Sequence, residues 1–244
     1  MNGVLAVMKR ELRSYFATPI AYVFIVIFLM LAGVFTFYFG GFYEGGQADL
    51  TAFFYWHPWL YLFLVPALSM RLWAEERKSG SIELLMTLPI EVWQIVVGKF
   101  LAAWIFTGIA LALTFPIWIT VNYLGSPDNG VILAAYVGSF LMAGGFLAVG
   151  ACISATTKNQ VIAFILSVVA CFLLLAAGVE FVQDVFAAWA PQWLVDGLSS
   201  LSFQTHFSYI SKGVIDVRDI VYFGLLIGAC LYANAIVLQM KKAD

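Results

Sequence analysis

The chain has 244 residues, 63% of them hydrophobic and 11% charged, with a formal net charge of −2. Soluble domains carry roughly 45–50% apolar and about 25% charged residues, so a water-soluble fold is excluded and lipid is the solvent for most of the surface. Twelve Lys and Arg against fourteen Asp and Glu provide no basic field for nucleic acid.

At the N-terminus, Val4, Leu5, Met8, Leu12, Tyr15 and Phe16 recur at helical spacing, while Lys9, Arg10, Arg13 and Ser14 fall mostly elsewhere around the wheel. Residues 1–18 are therefore expected to form an amphipathic helix in the cytoplasmic interface, its basic face toward lipid headgroups. The apolar run that follows, Pro19–Phe42, is longer than the ~7–15 residues of a signal-peptide core and reads as an uncleaved first span. Crossing ~30 Å of hydrocarbon takes about 20 apolar residues as a helix. Five further stretches qualify: Phe54–Trp73, Val92–Leu124, Val131–Ile153, Val161–Val179 and Ile220–Leu238. Pro66 and Pro116 should kink the second and third.

Between the second and third spans lies RLWAEERKSGSIELLMTLPIE, residues 71–91. Its charges, including Glu75, Glu76 and Arg77, hold it out of the hydrocarbon. Ser79-Gly80-Ser81 breaks the chain, Ser81 suits a helix N-cap, and Glu83 falls in the first turn, where the helix dipole favours an anion. Ile82, Leu84, Leu85 and Leu88 follow, and Pro89 ends the element. The expected product is a helix of barely two turns, unstable alone, with leucines exposed on the cytoplasmic side. Either a partner surface covers them or the segment turns back onto its own bundle; the residues leave both open.

Lys99 is the one charge well inside a span, about two turns beyond Glu91. Its stem can snorkel to the cytoplasmic surface, or it can pair with an acid: Lys99 with Glu91 is the candidate intramembrane pair, an acidic residue at the end of the second span the alternative. In the fourth span Ala134, Gly138, Ser139, Ala143, Gly145 and Gly150 permit close helix approach, read as packing within one subunit. Residues 180–219 mix polar groups with Trp189, Trp193, Phe203, Phe207 and Tyr209, and are expected to form short interfacial or re-entrant helices on the outer side. With the N-terminus inside, Lys9, Arg10, Arg13, Arg71, Arg77, Lys78, Lys158, Lys241 and Lys242 are cytoplasmic, against Lys212 and Arg218 outside. That bias puts both termini in the cytoplasm, consistent with six spans.

No P-loop is present: Gly145 and Gly150 have the glycine spacing, but Ala151 stands where lysine is needed. His57 and His206 have no metal-ligand partner spacing and read as hydrogen-bonding residues near the outer face. Cys152, Cys171 and Cys230 lie in apolar segments and read as small core residues. The central parts of the six spans carry no acidic residue, which argues against an ion-coupled relay.

The block Met70-Arg71, then Ala74 to Leu85, then Thr87 and Pro89, then Val97-Gly98-Lys99-Phe100-Leu101, resembles the signature region of ABC-2-type permeases. A second block, Thr205-His206-Phe207 with Gly213 to Asp216 and Arg218 to Phe223, resembles the branch containing the gliding-motility and nitrous-oxide-reductase maturation permeases. The resemblance implies an all-α domain of six transmembrane helices in a bacterial cytoplasmic (inner) membrane, a dimer of permeases, and two ATPase subunits that hold ATP and Mg, with no cofactor in this chain. It also implies that Ser81–Leu88 is a coupling helix seated in a groove of the ATPase, with the N-terminal helix flanking it. Glu75 and Glu76 would hold the loop and Leu84 and Leu85 would seat it. The second permease would be another copy, or a protein with a large extracytoplasmic domain. The expected function is ATP-driven export or force transmission; an ion-coupled secondary transporter and a membrane scaffold or assembly factor are the alternatives.

Overall fold

The computed structural model describes residues 2–87, 89–188 and 190–240; Leu88, Trp189, Lys241 and Lys242 lie outside the described residues, as does the side chain of Leu84. The described chain is helical throughout, in fourteen α-helices and one π turn. Helix α1, Asn2–Ala17, stops where Thr18 turns extended, and Pro19 opens α2, Pro19–Val34. Proline suits that first position because its fixed φ is helical and its missing N–H would have been unpaired anyway. The run continues through the π turn Phe35–Phe39, which Gly40 closes by donating to the Phe35 carbonyl at 2.7 Å.

The second apolar stretch differs from its expectation as one continuous span. It is divided into α3 (Thr51–Tyr55), α4 (His57–Ser69) and α5 (Arg71–Ser79). Helix α4 has 13 residues, about 20 Å, short of the hydrocarbon thickness. The break falls at Met70, whose amide still donates to the Pro66 carbonyl at 2.9 Å; Pro66 itself withholds a donor from the Leu62 carbonyl one turn earlier, inside α4. After α6 (Ser81–Met86), the third stretch gives α7 (Val92–Ala112) and α8 (Phe115–Leu124). Helix α7 ends four residues before Pro116, where the carbonyl of Ala112 would have needed the proline's N–H.

Helix α9, Asn129–Thr156, forms the centre and is mostly buried. Asp128 caps it, accepting from the amides of Gly130 (2.8 Å) and Val131 (3.3 Å). Its small residues admit neighbours from the same chain: Gly138 faces Ile210, Gly145 faces Phe203, and Gly150 faces Ser69. The small-residue stripe thus serves packing within the subunit, as its sequence suggested. Helix α10 (Gln160–Ala176) bends by 71° into α11 (Glu180–Ala187); α12 (Gln192–Ser200), α13 (Phe203–Ser211) and α14 (Val217–Met240) complete the chain.

Among the described residues, four helical runs are long and apolar enough to cross a membrane: Pro19–Phe39, Val92–Leu124, Asn129–Thr156 and Val217–Met240; the bent α10–α11 pair makes a fifth if it is one span. Phe28, Trp73, Phe106, Phe146, Phe203 and Phe223 fill the core. Large apolar side chains stay exposed along α2, α10 and α14, Val26, Leu173 and Leu225 among them. That distribution suits a bundle whose outer solvent is lipid.

Candidate functional site

The first signature block closes around the junction of α1, α5, α6 and α7. Helix α5 has lost its ladder at Met70, so its first amides need other acceptors. Ser154, near the end of α9, provides one. Its Oγ accepts from the amides of Trp73 (3.2 Å) and Ala74 (3.1 Å) and donates to the Met70 carbonyl (2.9 Å). Arg77 donates to the Ala155 carbonyl at 2.7 Å, and Arg71 pairs with Glu75 one turn on through two contacts of 2.8 and 3.2 Å. These contacts fasten α5 to the end of α9.

Gly80 then turns the chain at φ +74, a left-handed conformation natural to glycine, and α6 begins at Ser81. Ser81 stands as the first helical residue, its hydroxyl 2.9 Å from Ser79 Oγ, and Glu83 lies in the first turn. The expectation of leucines exposed to the cytoplasm is corrected at Leu85, which is only 5% exposed and belongs to the core; Ile82 is half-buried against the same core. In a one-and-a-half-turn helix the apolar side is claimed by the protein's own body, which removes it from water without a partner. Among the described residues, the exposed ones at this turn are polar or glycine: Lys78, Ser79, Gly80, Ser81, Glu83 and Thr87.

Lys99 is 3% exposed. Its Nζ lies 2.7 Å from Glu76 Oε1 and 3.4 Å from Glu11 Oε1, donates to the Leu72 carbonyl at 3.3 Å, and sits 5.2 Å above the Trp73 ring. Three ammonium hydrogens thus face three oxygens, from α1 and α5, around a charge carried by α7. The expected Lys99–Glu91 pair is not formed. Glu91 lies eight residues away at the start of α7, and its carboxylate accepts from the Trp93 indole. The acid that pairs with Lys99 comes from the end of the second stretch.

Helix α1 runs alongside α7 in the same direction: Gly3 meets Gln94, Val7 meets Gly98, and the rings of Tyr15 and Phe16 lie 5.4 and 5.7 Å from that of Phe106. Lys9, Arg10 and Arg13 remain exposed, with Arg10 paired to Glu11 at 2.7 Å. Apolar surroundings, then the Glu11 charge, hold the Tyr15 hydroxyl above the ordinary phenol range, so it stays a hydrogen donor. Sequence reasoning missed Glu11, Trp73 and Ser154. Glycine directly before Lys99 was the one local hint of a helix passing close by.

The second block also closes in space, away from the first. His206 and Asp219, 4% and 3% exposed, lie 2.5 Å apart through Nδ1 and Oδ1. His206 Nε2 donates to the Ser200 carbonyl at 2.9 Å, its ring stacks on Tyr222, and the Tyr222 hydroxyl donates to the Leu201 carbonyl. Because a carbonyl only accepts, Nε2 carries the hydrogen of that contact, and Nδ1 faces the Asp219 carboxylate. The cluster ties α12, α13 and α14 together. His57 is fully buried among Phe28, Phe53, Phe54 and Tyr61, with Nδ1 2.9 Å from the Phe53 carbonyl.

The family model described as ABC-2 family transporter protein matches residues 5–239, nearly the whole chain. Heme exporter protein B of Rhodobacter capsulatus is 39% identical over 70 residues, which are 28% of this chain and 32% of that protein. The matched stretch thus spans about a third of the relative's length.

Proposed function

The chain belongs to the ABC-2 family of transporter proteins, and on that premise we propose that it is the membrane-spanning permease of an exporter powered by a separate ATPase. The observation that supports this is the α5–Gly80–α6 hook. It offers a polar tip, Ser79 to Ser81 with Glu83, and its base is fastened to α9 through Ser154 and to α7 and α1 through Lys99. A push on such a tip moves spans instead of bending a loop. In this reading the ATPase holds ATP and Mg, docks on the exposed face of α6, and Leu85 seats α6 on the permease itself.

The rest of the reading follows the basic-residue bias and the family. Six spans cross a bacterial inner membrane with both termini inside, the broken α3–α4–α5 run serving as the second. Two permeases pair, as identical copies or with a protein bearing a large extracytoplasmic domain, as the second motif block of the gliding-motility and nitrous-oxide-reductase maturation branch suggests. The relative's printed heme export rests on a third of its length and is not carried over as the cargo here. Export and force transmission to an outer partner both fit the hook.

The experiment is co-purification with the partner ABC ATPase after mild detergent extraction. Glu83→Arg and Ser81→Trp should each abolish the association and the stimulated ATPase activity while leaving insertion and thermal stability unchanged. Full association by both variants would refute docking on α6.

A further inference from the structure

We propose that the crevice between α1, α2, α5 and α7 is a binding site for an inner-leaflet phospholipid with a primary-amine headgroup. The crevice has a volume of about 490 Å3, within the roughly 300–1,000 Å3 of small-molecule sites. Its two ends differ in chemistry. At one end stand Arg10, Arg71 and Lys99 with Glu11, Glu75 and Glu76; at the other stand Ile20, Ala21, Phe24, Leu68 and Phe106. The charges stand on α1, α5 and α7, and the apolar residues on the first turns of α2, the end of α4 and α7.

Charge complementarity selects the headgroup. Three cations paired with three carboxylates leave the polar end neutral overall, which matches a zwitterion better than an anion. Glu76 Oε1 is taken by Lys99, yet its Oε2 is buried with no hydrogen-bond donor among the described residues. Native structures rarely leave such an oxygen unpaired. Arg71 uses Nε and Nη2 on Glu75, and its remaining guanidinium hydrogens are suited to a phosphodiester. A primary ammonium donates three hydrogens to the acidic wall; a quaternary ammonium donates none. Beyond the crevice, Ile20, Val23 and Ile27 are 52%, 54% and 37% exposed and continue the apolar path for an acyl chain. The inference rests on the membrane placement proposed above, with α1 and α5 at the headgroup level, and not on ATPase docking.

The test is native mass spectrometry of the full chain in mild detergent, with palmitoyl-oleoyl phosphatidylethanolamine, phosphatidylcholine and phosphatidylglycerol added in equal amounts. The wild type should retain the ethanolamine lipid about fivefold or more over either competitor. Glu75→Gln combined with Glu76→Gln should remove that preference. Because this pair of changes also disturbs Lys99, a second variant, Ser14→Trp, fills the mouth of the crevice and leaves every charge in place; it should remove retention too. Equal retention of all three lipids, preference for the glycerol lipid on the basic helix, or a preference that survives both variants would overturn the proposal. Lipid selectivity is read without the ATPase, so its failure is separable from failure of the docking reading.

Discussion

Replacing Lys99 by methionine removes the charge on which α1, α5 and α7 converge and keeps the volume of the stem. Two unit charges ~4 Å apart attract by about 4 kcal/mol at an effective dielectric near 20, and burial of the ion pair takes part of this back. What decides the outcome is the carboxylate left behind. Glu76 keeps 21% side-chain exposure and would have no cation, whereas Glu11 keeps Arg10 at 2.7 Å. Breaking a buried pair costs about 3–5 kcal/mol; the partial exposure of Glu76 places Lys99→Met near the low end, about 3 kcal/mol. At about 2–4 °C per kcal/mol for a chain of this length, melting in detergent should fall by about 6–12 °C. The combined Lys99→Met, Glu76→Met protein should recover to within about 1 kcal/mol of wild type, since apolar side chains can fill the site without a stranded charge. Fluorescence-detected size-exclusion chromatography after graded heating reads both numbers. A single variant that melts with the wild type, or a double variant no better than the single, would refute the buried-pair reasoning.

Gly80→Ala forces a left-handed conformation on an L side chain, at roughly 1–2 kcal/mol. No atom within 4 Å opposes its Cβ, so stability should change little more than that while stimulated ATPase activity falls; Gly80→Asn, which tolerates this conformation, should retain activity. A Cβ on Gly98 would lie 2.8 Å from the Val7 Cβ and 2.9 Å from its Cγ1, so Gly98→Ala should lower the melting temperature, and Val7→Ala in the same chain, which removes the Cγ1 contact, should restore part of it. Leu85→Ala should cost about 2–5 kcal/mol, the range for a buried leucine, whereas Glu83→Arg on the exposed side should stay within about 0.5 kcal/mol by the same melting assay. Ser154→Ala leaves the amides of Trp73 and Ala74 without their shared acceptor and should cost about 1–3 kcal/mol.

The signals that sequence carried well were local ones. The apolar run that opens at Pro19 and the Gly80 break between two helices act within a turn of the residue that bears them. Hydropathy averages over a window, so it smoothed across the breaks at Trp56, Met70 and Leu113 and made single spans of them. Pro116 behind the break at Leu113 was visible, but not that the chain would change helix there. Partners that depend on tertiary contact were harder. Linear spacing offered Glu91 to Lys99, while the fold brought Glu76 and Glu11. An apolar stripe at Ile82 and Leu85 gave the face to be covered but not what covers it, and the permease's own core does so at Leu85. Ser154 was one small residue among many, and nothing in its neighbours marked it as the hydroxyl that receives α5.

The central claim, that a partner ATPase pushes on the tip of α6, is tested most directly by a benzophenone side chain placed at Ser81 in the membrane-assembled complex. Irradiation should yield one cross-linked species containing this chain and the ATPase, with its yield changing between the nucleotide-free and ATP-bound states. A cross-link only to lipid or to this chain, or labelling of residue 81 by an impermeant reagent added from the outer side, would contradict the account.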